Sequence, residues 1–181
     1  MDDCSGAVSV SELVERHYDL IYRFAYRLSG SSANAEDLAQ EAFLTAQSKL
    51  HQLRDAQKAR SWLLTIVRNA FLKSRRGQQE FAFSALEDPP QPVVAEAVGE
   101  SLLVEIENAQ LQEALEELPE EFRTPLVLFY FEEFTYKQIA EIVEAPIGTV
   151  MSRLSRAKSH LRARLTQRQT AAAWMETAAR Q

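Results

Sequence analysis

Residues 134–164 read FTYKQIAEIVEAPIGTVMSRLSRAKSHLRAR, and this stretch decides the fold of the C-terminal half of the chain. Thr135 and Gln138 have the spacing of a capping box, which begins a helix whose apolar residues recur at helical intervals. That helix is predicted to end near residues 144–145, and Pro146 suits the first position of a second helix. Two helices joined by so tight a turn are typical of a helix-turn-helix.

The second of these helices has an apolar side and a basic-polar side when it is projected at about 100° per residue. The apolar side consists of Val150, Leu154, Ala157, Leu161 and Leu165. The opposite side carries Thr149, Ser152, Arg153, Arg156, Ser159 and His160. Such side chains near the start of a helix can reach phosphates and base edges in the DNA major groove. The alternative is an ordinary amphipathic helix with a solvated basic face, and the capped helix before it argues against that alternative.

The composition excludes several kinds of site. With a single cysteine, Cys4, the chain has no internal disulfide and no cysteine-rich zinc site. Its three histidines lack the spacing of metal ligands, and His17 lies on an apolar stripe, where we expect a core or boundary position. No phosphate-binding loop and no nucleophile with a paired base is present. We therefore expect no enzyme activity, no metal, no cofactor and no small-molecule substrate.

The sequence also bears on location. No N-terminal stretch resembles a signal peptide, and no apolar run approaches the length that spans a membrane. We therefore expect a soluble cytoplasmic protein without direct membrane insertion.

Charge is divided into blocks along the chain, and the net charge of −6 conceals this division. Residues 1–77 carry a net charge of +2, residues 78–121 carry −12 with no basic side chain, and residues 122–181 carry +4. Two mildly basic segments thus flank a strongly acidic one, which is best interpreted segment by segment. The acidic block is predicted to be a solvated linker with an exposed helix face. A segment that mimics or repels nucleic acid is the alternative.

The predicted fold class is all-α, with two small helical domains joined by a flexible linker. Helices are expected at about residues 9–29, 34–52, 56–76, 101–118 and 122–131, followed by the helix-turn-helix. Pro125 would lie in the first turn of the fifth helix, and the alanine-rich end from Gln169 is expected to fray. The predicted domains are residues 1–77 and 101–168, with an acidic, proline-containing linker at 78–100 and a tail at 169–181.

The third predicted helix has the same division of faces as the second helix of the helix-turn-helix. Arginines occupy one sector, and Asn69 lies close to it. Cations beside aromatic and amide groups suit single-stranded DNA, because cations follow the backbone while rings and amides meet unstacked bases. The alternatives are core packing for Trp62 and a solvated face for the arginines.

Three stretches together resemble the extracytoplasmic-function (ECF) sigma factors of bacterial RNA polymerase. NAEDLAQEAFLTA at 34–46 is similar to the family's helix that binds core polymerase, and RSWLLTIVRNAFLKSRR at 60–76 is similar to its segment for promoter melting and −10 recognition. Residues 118–162 resemble its −35-binding domain almost throughout. The resemblance covers about four-fifths of the chain, in the family's order.

The resemblance implies roles for individual residues. Core polymerase would be bound by Asp37, Leu38, Gln40 and Glu41. The −10 element and the melted strands would be bound by Lys58, Arg60, Trp62, Arg68, Asn69, Arg75 and Arg76. The duplex −35 element would be bound by Thr149, Ser152, Arg153 and Arg156, with Lys137 and Lys158 on phosphates. The implied partners are core RNA polymerase, promoter DNA and an anti-sigma factor.

Three positions depart from the family's pattern. Glu144 stands where relatives often have glycine, which enters left-handed backbone conformations freely, so a different turn geometry is expected. Met151 stands where many relatives have lysine, and Gln47 replaces an aromatic residue. These departures bear on promoter sequence and affinity.

Two other functions remain open at this point. One is a helix-turn-helix regulator that binds duplex DNA without polymerase, which would need neither the 34–46 helix nor the basic-aromatic third helix. The other is a sigma mimic that binds an anti-sigma factor, which would be free to lose Arg153 and Arg156.

Overall fold

The computed structural model describes the backbone at residues 9–76 and 108–178, and side chains at 9–75 and 109–166. This part of the chain is helical without strands, as the sequence predicts. The chain divides into two compact units, residues 1–85 and 86–181. The predicted linker at 78–100, the N-terminal part of the helix predicted from 101, and Cys4 lie outside the described residues.

The first unit contains α1 (Val10–Ser29), α2 (Ser32–Lys49) and α3 (Ala59–Arg76), each of which packs against the other two. Ser9 and Glu12 form the capping box that begins α1, and Gly30 ends it in a left-handed conformation at φ 73°. Two 3-10 turns, Leu50–Gln52 and Ala56–Lys58, connect α2 to α3. The second predicted helix therefore ends earlier as an α-helix than expected, and the third starts later.

The core of the first unit combines large side chains with small ones. Alanines line the buried face of α2, so that α1 and α3 approach it closely. Most of the large buried side chains come from α1 and α3, and α2 adds Leu38 and Phe43. Those from α1 and α3 are Leu13, Ile21, Phe24, Leu28, Leu63, Leu64, Val67 and Phe71. His17 is half-buried at the boundary of this core, where it was predicted.

The described part of the second unit contains four helices, of which α5 is one. They are α4 (Asn108–Glu116), α5 (Glu120–Tyr130), α6 (Tyr136–Val143) and α7 (Ile147–Ala178). Residues 123–128 of α5 are all buried, because α5 lies against both α6 and α7. The predicted helix-turn-helix is α6 with the start of α7.

Two predictions about this unit are wrong. The helix expected from residue 122 begins at Glu120, because Pro119 precedes it in an extended conformation and acidic Glu120 and Glu121 suit a first turn. Pro125 consequently lies beyond the first turn. The alanine-rich residues from Gln169 are helical as far as Ala178, in keeping with the high helix propensity of alanine, and fraying of this end stays a prediction.

Candidate nucleic-acid and protein interfaces

The start of α7 separates a buried side from an exposed side, as its sequence projection predicts. Val150, Leu154, Ala157 and Leu161 are at most 6% exposed and pack into the second unit. Ser152, Arg156 and Ser159 are exposed on the other side. Thr149 and His160 are half-buried at the edges. An exposed polar and cationic face on a helix anchored along its opposite side can enter a DNA groove without rearrangement of the unit.

Arg153 is turned away from the centre of this exposed face. Its guanidinium Nη2 lies 3.4 Å from Oε2 of Glu121 on α5, and its side chain is only 27% exposed. A second ion pair joins Arg164 Nε to Oε2 of Glu117 at 2.7 Å. Both pairs connect α7 to the segment around the start of α5, so Arg153 contributes to holding the helix in place. Sequence reasoning missed Glu121, because 32 residues separate the partners.

The hydroxyl groups on α7 donate within the helix. Ser152 Oγ donates to the carbonyl of Thr149 at 2.9 Å, and Ser159 Oγ donates to the carbonyl of Ser155 at 3.2 Å. Each oxygen keeps lone pairs that can accept from a base amino group. Arg156 is therefore the exposed residue of this face whose guanidinium presents hydrogen-bond donors to a partner.

Local hydrogen bonds fix the start of α6 and the turn between α6 and α7. Thr135 and Gln138 form the predicted capping box, with the Thr135 backbone N–H donating to Gln138 Oε1 at 2.9 Å. Glu144 follows α6 in the left-handed conformation at φ 54° and ψ 47°, and its N–H donates to the Ala140 carbonyl. The Ala145 N–H donates to the same carbonyl at 3.1 Å, as in a glycine-ended helix. Glu144 thus adopts the left-handed conformation that glycine favours. The change of turn geometry expected from its side chain is therefore not seen at this residue.

Two lysines lie on this unit at positions suited to phosphates. Lys137 is exposed in the first turn of α6, and Lys158 is half-buried on α7. Side chains of this kind add affinity without sequence information.

Apolar side chains are also exposed at the start of α7, and sequence reasoning gave them no role. Ile147 is 46% exposed and Met151, one turn later, is 52% exposed. Tyr136 at the start of α6 is 38% exposed and stacks on Phe129 with centroids 5.2 Å apart. The i, i+4 spacing of Ile147 and Met151 was the available signal.

On α3, the predicted DNA-binding residues occupy the two edges of the exposed face. Arg60, Arg68 and Arg75 are half-buried along one edge. Arg60 lies close to His17 of α1: desolvation lowers the pKa of His17, and the charges of Arg16 and Arg60 lower it further. Arg60, at the N-terminal end of the arginine edge, therefore lies near α1.

Trp62 lies on the other edge of α3 and is half-buried, so it is neither a full core residue nor a free ring. Lys73, on the same stripe at helical spacing, forms an ion pair with Glu41 of α2 at 3.6 Å. Asn69 is exposed between the two edges, and Arg68 Nη1 donates to its Oδ1 at 3.4 Å. Arg75 lies over the Phe71 ring at 5.6 Å. Lys58 is exposed before α3, and the Arg76 side chain is outside the described residues.

The exposed face of α2 carries the residues predicted to bind polymerase. Asp37, Gln40 and Glu41 are all exposed there. Leu38 differs, because its side chain is 5% exposed and lies in the core, where it can support this face but not present itself to a partner. Leu44, one turn beyond Gln40, is 60% exposed and extends the face with an apolar side chain that sequence reasoning missed. The arrangement suits a protein partner that meets both carboxylates and an apolar group.

Within the described residues, no cluster of three or more His, Cys, Asp or Glu side chains could hold a metal ion. None of the helices in the same part of the chain combines the length and apolar character that crossing a bilayer requires.

Comparison with protein families identifies both units. Residues 13–81 match Sigma-70 region 2, and residues 108–161 match Sigma-70 region 4. The first match contains the faces of α2 and α3, and the second contains the helix-turn-helix.

Curated relatives cover most of the chain. It is 35% identical over 162 residues to the ECF RNA polymerase sigma factor SigE of Mycolicibacterium smegmatis, which covers 88% of this chain and 63% of that protein. It is 30% identical to SigW of Bacillus subtilis, with 86% of this chain and 88% of that protein covered. SigM of the same organism is also 30% identical, with 86% and 94% covered. The chain thus spans under two thirds of SigE but nearly all of SigM.

Solved structures share the fold. The sigma factor RpoE of Bartonella quintana, crystallised with the anti-sigma factor NepR, is 26% identical with a TM-score of 0.66, over 86% of this chain and 96% of that chain. CnrH, solved with the cytosolic domain of CnrY, is 20% identical with a TM-score of 0.62, over 87% and 88%. The second of these likenesses concerns the fold alone.

Proposed function

The chain belongs to the ECF RNA polymerase sigma factors, and from this premise we propose how its two units divide the recognition of a promoter. The second unit reads the duplex −35 element, and the first unit docks on core polymerase and holds the melted −10 element. A sigma factor is a regulatory protein, and in this proposal the polymerisation chemistry belongs to the core enzyme. The protein would work in the cytoplasm, where promoter DNA and polymerase meet.

The observation that carries the −35 assignment is the exposed face of α7, backed by four buried apolar residues. Arg156 and the hydroxyls of Thr149 and Ser152 would enter the major groove. Lys137 and Lys158 would neutralise phosphates on either side. Arg153 enters this proposal as a positioning residue, because its guanidinium is paired with Glu121 at 3.4 Å. It would keep α7 at the angle from which its neighbours reach the bases.

For the −10 element, the arrangement on α3 supports a strand that crosses the helix. The arginine edge would follow the backbone, Trp62 would stack on an unpaired base, and Asn69 would hydrogen-bond to a base edge. Capturing a flipped base offsets the few kcal/mol that unstacking costs. The pairing of Arg68 with Asn69 at 3.4 Å orients the amide before DNA arrives.

Core polymerase would dock on α2 through Asp37, Gln40 and Glu41, with Leu44 as the apolar contact. Clusters of carboxylates beside an exposed leucine have the mixed character of a protein interface. Each DNA-binding unit is expected to be weak alone, and docking both on one polymerase raises the effective concentration of the second contact.

An anti-sigma factor is the third partner in this proposal. RpoE, which is 26% identical to this chain, was solved with the anti-sigma factor NepR. A protein bound to the DNA-facing residues of α3 or α7, or to the polymerase-facing residues of α2, would block initiation.

The test is run-off transcription with purified core polymerase on a pool of promoter fragments, with and without the protein. We expect discrete new transcripts that are lost with Arg156→Ala or with Asp37→Ala. The matched controls are Arg162→Ala, an exposed arginine farther along α7, and Asp19→Ala, an exposed aspartate on α1, which should both keep the transcripts. Binding to core without transcripts from any promoter would favour a sigma mimic. Duplex DNA binding without any binding to core would favour a plain helix-turn-helix regulator.

A further inference from the structure

We propose that Met151 and Ile147 read the C5-methyl groups of thymines in the −35 element. The inference rests on the proposed function, since it assumes that α7 lies in the major groove. It assigns a chemical class of base contact to two residues that stand outside the polar set described above.

The first observation is exposure at the part of the helix that meets bases. In helix-turn-helix proteins the N-terminal residues of the second helix contact base edges. Here the first two turns of α7 present Ile147 at 46% and Met151 at 52% exposure, while Val150 beneath them is fully buried. Two large apolar side chains are therefore held outward at i, i+4 spacing by a buried neighbour.

The second observation is room for close approach. Gly148 lies between the two apolar residues in sequence, and a Cβ placed on it would meet no atom within 4 Å. The surface beside Ile147 and Met151 is thus open, so a base edge could come close to the helix backbone there.

The third observation is the state of the polar neighbours. The Arg153 guanidinium is held by Glu121 at 3.4 Å, and the Ser152 hydroxyl donates within its own helix at 2.9 Å. The exposed side chains of Ile147 and Met151 themselves can offer a base only apolar contact. In the major groove the apolar group presented by a base pair is the thymine methyl.

Charge identifies duplex DNA, and not an apolar protein surface, as the occupant. Half-buried Lys158 lies two turns after Met151 on nearly the same line of α7, exposed Arg156 lies farther round the helix, and exposed Lys137 is in the preceding helix. A cationic surround favours a polyanion and places the apolar pair within it at the depth of the bases.

The experiment uses holoenzyme formed from core polymerase and the full chain, on a promoter obtained from the run-off assay. Each thymidine of the −35 element is replaced in turn by deoxyuridine, which lacks only the C5-methyl group. Competition binding is measured at one fixed salt concentration, since phosphate contacts make affinity salt-dependent. We expect a loss of about fourfold at one or two thymines on one strand, the size that burying one methyl group predicts.

Variants of the protein show whether Met151 makes that contact. Met151→Ala should bind the thymidine promoter more weakly and lose the deoxyuridine penalty at one of these positions. Lys137→Ala, the matched control, should bind both promoters more weakly and keep the penalty. Met151→Lys should bind both more tightly, with a steeper salt dependence and no penalty at that position.

Two results overturn the inference: a wild-type holoenzyme indifferent to deoxyuridine at every thymine, or a penalty that survives in Met151→Ala. Either can occur while transcription and its loss in Arg156→Ala stand, which separates this failure from failure of the proposed function. If wild-type protein yields no transcripts with core, the proposed function fails instead. Because Met151 is 52% exposed and alanine favours helix, unfolding of the variant is not expected, and circular dichroism checks this.

Discussion

The two units of this chain are stabilised in different ways. Among the described residues, the buried polar and charged side chains are Gln112, Arg123, Thr124 and Glu132, and all four belong to the second unit. The first unit is held by apolar packing of three helices of 18 to 20 residues around the alanine face of α2. Three of the four described helices of the second unit have only 8 to 11 residues. The second unit thus depends on specific hydrogen bonds where the first depends on the packing of longer helices.

The reason lies at the helix ends. Each α-helix leaves backbone groups without intrahelical partners at both termini, so short helices carry a larger share of such groups. In the second unit the buried Arg123 guanidinium satisfies two of them, donating to the carbonyls of Glu116 and Leu118, the latter at 2.8 Å. The described part of the first unit has three α-helices, one fewer than that of the second, and serine caps and Gly30 satisfy backbone groups at their ends.

The largest expected effect is on packing in the first unit. Phe24 is fully buried, and Phe24→Ala should lower the free energy of unfolding by about 3–5 kcal/mol, because it removes apolar contacts and leaves a cavity. Hydrogen exchange on the full chain should show the loss in the amides of α1 to α3. Tyr26→Ala, a ring 37% exposed on the same helix, is the control and should cost much less. Equal effects would show that the first unit is not held mainly by its core.

The second effect tests the hydrogen-bonded unit. Arg123→Met keeps the apolar stem but leaves the carbonyls of Glu116 and Leu118 without this donor, and it should cost about 2–4 kcal/mol. Faster hydrogen exchange should appear in α4 to α7. Arg162→Met, at an exposed position of the same unit, should change stability little. An Arg123→Met chain as stable as the wild type would contradict the proposed dependence on buried polar contacts.

The same difference explains what the sequence could predict. The start and end of α1 were predicted within one residue, because Ser9, Glu12 and Gly30 act on neighbouring backbone groups. The capping box of α6 and the buried stripe of α7 were predicted for the same reason. Local signals therefore determined most of the fold and the positions of the candidate surfaces.

Contacts between distant residues were not predictable in this way. Periodicity placed Arg153 on the basic side of α7 but could not show that it folds back to Glu121 on another helix. It could not show that Leu38 is buried while Leu44 is exposed, since that depends on how α2 packs on its neighbours. The sequence thus predicted which residues belong to the candidate site. Only the structure showed which of their side chains are exposed to a partner and which hold the helices in place.

The third effect is a gain. The first unit places glycine at its left-handed position, whereas the second unit places Glu133 and Glu144 in that region at φ 55° and 54°. Glu144→Gly should stabilise the chain by up to about 1 kcal/mol, since a side chain in this conformation costs more than the added freedom of glycine in the unfolded state. Glu141→Gly, at an exposed position inside α6, should instead destabilise by about 0.5–1 kcal/mol. Urea unfolding measures both, and a destabilised Glu144→Gly would show that the Glu144 side chain makes a compensating contact.

The smallest effect concerns pH and the first unit, whose apolar core reaches a titratable group at His17. Burial, with Arg16 and Arg60 nearby, lowers the pKa of His17 in the folded chain below its ordinary value of 6.5. The folded state therefore favours neutral His17, and the unfolded state takes up the proton first as pH falls. Stability associated with His17 should be complete above about pH 6.5 and should decrease as the pH falls from there toward the lower folded pKa.

Urea unfolding at pH 7.5, 6.5 and 5.5 should show a decrease that is smaller in His17→Gln than in the wild type. The exposed His51 provides the control, since His51→Gln should retain the wild-type decrease. Identical pH dependence in wild type and His17→Gln would mean that His17 is solvated well enough in the folded unit to titrate as it does in the unfolded chain.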